Sequence, residues 1–566
     1  IENSLFPTSP REPCIAVSID LLSLYQSLLE HSGMLNSAFC SALQDFYVSH
    51  GFWMLDVKGV PMQEPFRRGF GYATKWYGCV RLALEDEIDS MLSNSCAKIP
   101  DSFATLNNIQ PLTPTINVDN GSVYSSPAHG KCRCPACFSG TRFGRGFSEG
   151  GDVHVAVDCN FNQHHRTSAG DCPHFYDPRY ILSKHEVDEA GVRIEIACNA
   201  GTKKNYSPKI PDIAVDEDKK SFDAADEKKE KTHGGRYDDT GLAALVCHHD
   251  VPLFLANVDT PGEQQKYAVA LIDKLASHLP AAASIAVLYD IGCYDIFPPM
   301  LTERLVFATS AMHSYGHQWA CQLVYNPRLM DGLGLTDGEG VERFWSCLQK
   351  LIGITRSSAH RQRIYLLDHQ VAFMAKSIRE DLGGWIHRKV QEGVEKKGAK
   401  AHADLESCGK SVPFLRQQWA DQHQTQTSIR LHKSTCLLGK ELDAVLTSLQ
   451  AHADTVESAI QATQTALKSL PMTVSQPNFN LSQLSYIHQQ LCNQIDQLYA
   501  SLNVGQSFPE LASLNITFVQ TLLLVCDLKM NICKRAIATF FEWDWLDQAT
   551  GGCEQALGTK LHQQTR

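Results

Sequence analysis

At 566 residues the chain is too long for one hydrophobic core, and roughly two to four domains are expected. Composition is ordinary for a globular chain, and no apolar run approaches the ~20 residues of a membrane span. The net charge of −11 does not mark a nucleic-acid binder, and 20 cysteines scattered over this length argue for a reducing compartment with a few metal-type sites, not a disulfide scaffold. No signal-peptide pattern opens the chain. It starts at Ile1 and stops in a polar run at Arg566, so we read it as part of a longer protein.

Residues 1–100 read as an N-terminal helical domain. Leu21, Leu22, Leu24, Tyr25, Leu28 and Leu29 form one apolar stripe at helical spacing, and Phe39 to Phe52 form another. Pro65 to Gly71 reads as a turn, with a third helix from about Ala73 to Leu92. Residues 101–150 are a linker rich in Pro, Asn, Ser and Gly that ends in a Cys-x-x-Cys segment. Cys134 and Cys137 have the spacing of a zinc half-knuckle, in which two thiolates from one tight turn reach the same tetrahedral ion. The missing half would come from Cys247 with His248 or His249; Cys159, Cys172 and His174 are less orderly options. Free thiols are the bland alternative.

Residues 151–360 have an α/β signature, with strands bracketing a helix. Val153 to Asp158 is a strand ending in an acid, where the sheet would fix a carboxylate in position. A further strand is expected at Val192–Ala197, and the charged run 201–235 reads as a mobile surface insertion. Leu253 to Val258 is strand-like, residues 262–278 form an amphipathic helix, and Ser284 to Asp290 is a second buried strand ending in an acid. A lone acid at a strand end is usually a cap or turn former; two of them form part of a set. His313, His317 and Cys321 recur every four residues, so on a helix they form one stripe, either a metal edge or a hydrogen-bonded structural one.

Thr336 to Trp345 places Glu339 and Glu342 three residues apart after a glycine-rich turn, on one face at the mouth of a helix. They are either exposed acids of a capped turn, with Asp337 as the cap, or part of a hard-cation site with distant carboxylates. Residues 361–430 form a basic helical extension. From Gly340 to Lys440, 17 Lys and Arg stand against 9 Asp and Glu, enough for a local phosphate-binding surface or for a solvated helical face. Residues 431–510 read as an antiparallel helical hairpin suited to packing or self-association, and 511–566 as a last helix and tail.

Taken in order, Cys134-Pro135-Ala136-Cys137-Phe138, Asp239-Thr240-Gly241-Leu242, Cys247-His248-His249-Asp250, Leu288-Tyr289-Asp290-Ile291-Gly292-Cys293, His313-Ser314-Tyr315-Gly316-His317, Asp337-Gly338-Glu339-Gly340-Val341-Glu342-Arg343 and Phe540-Phe541-Glu542-Trp543-Asp544 closely resemble the fungal Kyakuja–Dileera–Zisupton (KDZ) transposases. The resemblance runs from about residue 14 to the end. It implies an RNase H-like catalytic core with an Asp, Asp, Glu set for two divalent metals, Mg²⁺ or Mn²⁺. It makes Asp158 the first acid, where relatives usually read Asp-Gly-Asn-Phe and this chain has Asp158-Cys159-Asn160-Phe161. Asp290 is the second. Similarity to Mutator-like transposases favours Glu342 over Glu339 as the third.

The resemblance further implies a nuclear enzyme acting on double-stranded DNA, both transposon ends and target, with no membrane partner. Arg343, together with Arg356, Arg361 and Arg363, would face phosphates, giving affinity with little sequence information. Two rivals stay open: a purely hydrolytic RNase H-like nuclease, and an inactive or domesticated zinc-stabilised DNA- or protein-binding scaffold.

Overall fold

The computed structural model describes residues 4–97 (apart from 10 and 12–14), 133–139, 143–199, 235–289, 297, 299–317 and 319–427. The chain divides into two compact units, the larger made of Ile1–Lys204, Phe222–Met312 and Tyr325–Ser407. The expected hairpin at 431–510, the tail at 511–566 and the charged run at 201–234 lie outside the described residues.

At the amino end, strands β1 (Leu5–Pro7) and β2 (Ala16–Ser18) pair antiparallel. Helices α1 (Ile19–Ser32), α2 (Asn36–Ser49) and α3 (Arg67–Ala97) follow. Leu22, Tyr25, Cys40, Phe70 and Ala73 form a small core of their own. The Tyr25, Phe39 and Phe70 rings meet at centroid separations of 5.1 Å. The segment expected as a turn from Pro65 to Gly71 is mostly the start of α3. Gly71 is there for closeness: a Cβ on it would stand 2.7 Å from Nδ2 of Asn36, at the start of α2.

The larger core surrounds a five-stranded mixed sheet. Its strands are β3 (Val153–Asn160), β6 (Gly241–Cys247), β7 (Pro252–Val258), β8 (Ile285–Leu288) and β9 (Leu305–Ala308), in the order β7-β6-β3-β8-β9. A small antiparallel pair, β4 (His165–Arg166) and β5 (Tyr237–Asp239), lies apart from it. β7, β6 and β3 run antiparallel to their neighbours, while β3, β8 and β9 run parallel. β3 is therefore central. Its first five residues are buried, as expected for a strand covered on both faces, and burial relaxes from Asp158 onward. β6 and β9 escape a periodicity search because Gly-Leu-Ala-Ala-Leu-Val-Cys and Leu-Val-Phe-Ala are short apolar runs without alternation.

Residues 192–197 are not a strand. They complete helix α4 (Lys184–Asn199), whose Val187, Ala190 and Ile194 recur at helical spacing toward the core. The six-residue window Val-Arg-Ile-Glu-Ile-Ala alternates by chance. The better signal stands just before it, where Ser183 and Glu186 form a reciprocal capping box: the Ser183 N–H donates to Glu186 Oε2 at 2.9 Å and the Glu186 N–H to Ser183 Oγ at 3.4 Å. Helix α5 (Gln265–Ser277) buries Tyr267, Leu271 and Leu275 against the sheet.

The remaining helices of this unit are α6 (Gly340–Leu348), α7 (Ile352–Ser357), α8 (His360–Arg388) and α9 (Lys397–Cys408), with a π-helical stretch, Lys389–Lys396, between the last two. In the second unit the described residues include a 3₁₀ turn at His313–Gly316 and helix α10 (Val412–Gln426). Among the described residues no helix is long and apolar enough to cross a membrane.

Candidate active site and metal centre

Asp158 stands near the carboxyl end of the central strand, in register with Ala244 of β6. Ligands of parallel sheets gather at strand carboxyl ends, and both β3 and β8 end here. Opposite Asp158 lies α6. Gly340, Val341, Phe344, Trp345 and Leu348 turn toward the core, leaving Glu342 and Arg343 exposed. Burying two rings such as Phe344 and Trp345 contributes about 2 kcal/mol each, which holds the helix flat against the sheet. The Trp345 indole Nε1–H donates to Asp158 Oδ2 at 2.9 Å across 187 positions of sequence.

The entry to α6 is built with little slack. Gly338 has φ +77°, and a Cβ on it would stand 2.8 Å from Leu288 Cδ2 and 3.1 Å from the Ser310 Cα. The turn can therefore press on the end of β8 only as glycine. The Glu339 N–H donates to Asp337 Oδ1 at 3.1 Å, and the Glu339 carboxylate accepts the Met312 N–H at 2.8 Å. The two glutamates are thus not equivalent. Glu339 ties the turn to the segment after β9, and Glu342 stands on the exposed side of the first helical turn. Asp290, the expected second acid, lies outside the described residues.

Glu263, in the loop before α5, is an acid that the sequence reading passed over. It lies against the Cys159 thiol and the Tyr289 phenol, the neighbours in sequence of the two expected aspartates. Burial first, then the Glu263 charge, pushes both groups well above their ordinary pKa values. Its only signal was its place at the mouth of a helix following a buried strand.

A second cluster sits on the same hairpin scaffold. Cys134 opens the single helical turn Pro135–Phe138, which contains Cys137. Cys247 ends β6, and His249 lies in the turn to β7, closed by the Asp250 N–H donating to the Cys247 carbonyl at 2.9 Å. The four ligand atoms lie within 4.8 Å of one another, and all four residues are buried. His249 Nδ1 is 3.2 Å from Cys137 Sγ, 3.6 Å from Cys134 Sγ and 4.0 Å from Cys247 Sγ. Tetrahedral zinc with sulfur at ~2.3 Å and nitrogen at ~2.0 Å needs donor separations of about 3.5–3.8 Å, so this Cys₃His group can bind a structural metal such as zinc. Hydrogen bonds from Cys137 and Cys247 pull the Cys134 pKa down; bonds with Cys134 and Cys247, then burial, push the Cys137 thiol up, while burial, then the bond with Cys134, pushes the Cys247 thiol up.

The two clusters are mechanically joined. Asp250 adopts φ +65° in the metal-site turn and takes a bidentate grip from Arg343 of α6, Nε to Oδ2 at 2.9 Å and NH2 to Oδ1 at 2.6 Å. A Cβ on Gly340 would stand 2.9 Å from that same carboxylate.

Other expected site residues are placed differently. Arg363 is fully buried, donating to Asp239 Oδ2 at 2.8 Å, Asn257 Oδ1 at 2.6 Å and the Gln163 carbonyl at 2.9 Å. It ties α8 to the strands and presents nothing to a phosphate, because a buried cation must be neutralised by its own neighbours. Arg356 donates to the Asn162 carbonyl at 3.1 Å. Arg361 is half exposed and bonds the Cys172 carbonyl at 2.9 Å. The His313/His317/Cys321 stripe is not formed, since His313 is in a 3₁₀ turn and Cys321 in the separate helix Trp319–Tyr325. Among the described residues these three do not gather into a metal-ligand group, the Cys₃His cluster being the one that does.

Fold and site together define a mixed α/β protein with Asp158 near the carboxyl end of its central strand and a buried Cys₃His group that includes the turn between β6 and β7. Residues 152–374 match the family model described as Kyakuja-Dileera-Zisupton transposase, which supports the KDZ family for this chain and suggests transposase function. No curated protein and no solved structure matches the chain.

Proposed function

We propose that this chain is a DNA transposase of the DDE type, cutting and joining phosphodiester bonds at transposon ends with an RNase H-like core. The observation that supports it most is the tie between Asp158, at the carboxyl end of the central strand, and the helix that carries Glu342. The β3–β8 ladder adds to it: Val153 pairs with Ile285 and Ala156 with Leu288, an offset of 132 residues, and Asp158 and Asp290 are separated by the same 132. A mixed sheet of three antiparallel and two further parallel strands is also the kind an RNase H-like core uses.

Asp158, Asp290 and Glu342 would hold Mg²⁺ or Mn²⁺. Carboxylate oxygens suit such hard cations, and the Trp345 indole that donates to Asp158 is an uncharged donor. When bound in pairs, such ions would supply activation of a water or 3′-hydroxyl and stabilisation of the leaving oxygen. The protein's own part is to fix carboxylates from distant segments on one sheet end. The Cys₃His group, filled by zinc, would lock the hairpin turn that Arg343 grips. Exposed Lys389, Lys396, Lys397 and Lys400 on the helical extension would track DNA phosphates in the nucleus. Self-association, if the expected hairpin mediates it, rests on residues outside those described.

Purified protein incubated with Mg²⁺ or Mn²⁺ and element-end DNA tests the reading. Strand transfer that disappears in Asp158→Asn is the expected result. Cleavage without transfer would make the protein a nuclease. Metal-independent binding with no cleavage would overturn both and leave a zinc-stabilised scaffold.

A further inference from the structure

We propose that Trp345 is a positioning residue of the reaction centre, its indole N–H fixing the Asp158 carboxylate in one orientation without cancelling the negative charge a divalent cation needs. The proposal rests on the catalytic reading of Asp158.

Helix α6 holds two carboxylates, and it holds them differently. Arg343 grips both oxygens of Asp250 with two charged donors, so that carboxylate is oriented and neutralised together. Trp345 reaches one oxygen of Asp158 with one neutral donor, at 2.9 Å. An indole N–H does not titrate in water, carries no net charge and cannot accept a bond. It therefore holds a carboxylate in place as a second-layer partner of a metal ligand does, setting direction while leaving the anion to the ion.

Packing alone does not require a tryptophan at this position. The site is buried, with Trp345 about 5% exposed, and a phenylalanine would fill most of the same space with no polar group to satisfy. A buried indole N–H instead demands a partner, and here that partner is the strand-end acid. The bond also joins two parts of the site that the chain keeps far apart. Trp345 follows Glu342 by three positions on one helix, so fixing the indole against Asp158 sets the distance between the two proposed ligands. The other end of α6 is held by the Arg343–Asp250 grip and by Gly338 against Leu288.

The test compares wild type, Trp345→Phe and Asp158→Asn by nicking of supercoiled plasmid across a Mn²⁺ titration, together with Mn²⁺ quenching of intrinsic tryptophan fluorescence. In Trp345→Phe the Mn²⁺ concentration for half-maximal nicking should rise about tenfold, with nicking largely restored at saturation. A merely structural indole would lower thermal stability and leave that midpoint in place, which overturns the proposal. In wild-type protein Mn²⁺ should quench a component of the fluorescence that Asp158→Asn removes. An equal quench in both proteins also overturns it, and this arm decides the matter if Trp345→Phe does not fold. If Asp158→Asn nicks like wild type, the catalytic reading fails and takes the proposal with it. If Asp158→Asn is inactive while Trp345→Phe keeps the wild-type midpoint, only the positioning role fails.

Discussion

The Cys₃His group and the Asp158 end of the sheet are two answers to the problem of holding a charged atom in a protein. The first is closed: three thiols and an imidazole, all buried, face one another within 4.8 Å. Such a soft, complete donor set, with a metal bound, would leave no open position and would cross-link a loop to a hairpin. The second is open: burial falls away along β3 from Asp158, and Glu342 is exposed. Hard oxygen donors with room around them suit a cation that must keep water and meet a substrate. On the proposed reading the contrast separates what would fix the fold from what would perform chemistry, and α6 touches both, through Arg343 on one side and Trp345 on the other.

The sharpest break in that comparison is Asp158→Asn. It should abolish Mn²⁺-dependent nicking, by about 10³-fold or more, while leaving the thermal midpoint within a few degrees of wild type. Next comes Cys137→Ser or removal of metal by a chelator, which should act in the opposite sense. Zinc content measured by mass spectrometry should fall to zero and the thermal midpoint should drop by about 10 °C, because metal binding is folding free energy in such sites. If chelation leaves the midpoint unmoved, the cluster is not a metal site.

Asp250→Asn should have a smaller effect. It leaves Arg343, about half exposed, with a weaker partner, so the midpoint should fall by about 3 °C with the Mn²⁺ requirement of nicking unchanged. A shifted Mn²⁺ requirement would show that the two regions are one functional unit.

The smallest effect is expected at Asp259, which belongs to neither cluster. Burial opposes its ionisation, but bonds from Lys184, Tyr267 and Lys266 outweigh it and bring its pKa down to about 2. Because the folded value lies below the ordinary ~3.9 of an unfolded chain, this stabilisation is present above about pH 4 and lost as pH falls toward 2. Asp259→Asn should flatten the acid limb of a stability–pH curve without touching nicking at neutral pH.

Much of this was legible because short-range chemistry writes itself into sequence. The Cys134/Cys137 spacing named half of the buried Cys₃His group that could hold a metal, and Cys247 with a following histidine named the other half. The strand ends at Asp158 and the acids after the glycine-rich turn were equally visible. The failures were of two kinds. Periodicity read over six residues made a strand of 192–197, which the capping box of Ser183 and Glu186 at the start of α4 would have corrected. Charge read without burial put Arg363 on a DNA surface, although its neighbours Asp239 and Asn257 close over it.

The sequence by itself determined which residue types were on hand and where local structure would set them: thiols in a tight turn, acids at strand ends, glycines where the backbone needs them. Tertiary structure decided which of those residues meet. That His249 and not His248 turns its ring nitrogen to the thiols depends on the hairpin turn between β6 and β7. That Glu339 is spent on the Met312 N–H while Glu342 stays exposed depends on how the turn packs on β8 and β9. That Asp158 meets an indole and Asp250 a guanidinium depends on where α6 lies on the sheet. Contacts spanning 90 to 190 residues carry no local pattern, because they are fixed by the packing of whole elements and not by the spacing of neighbours.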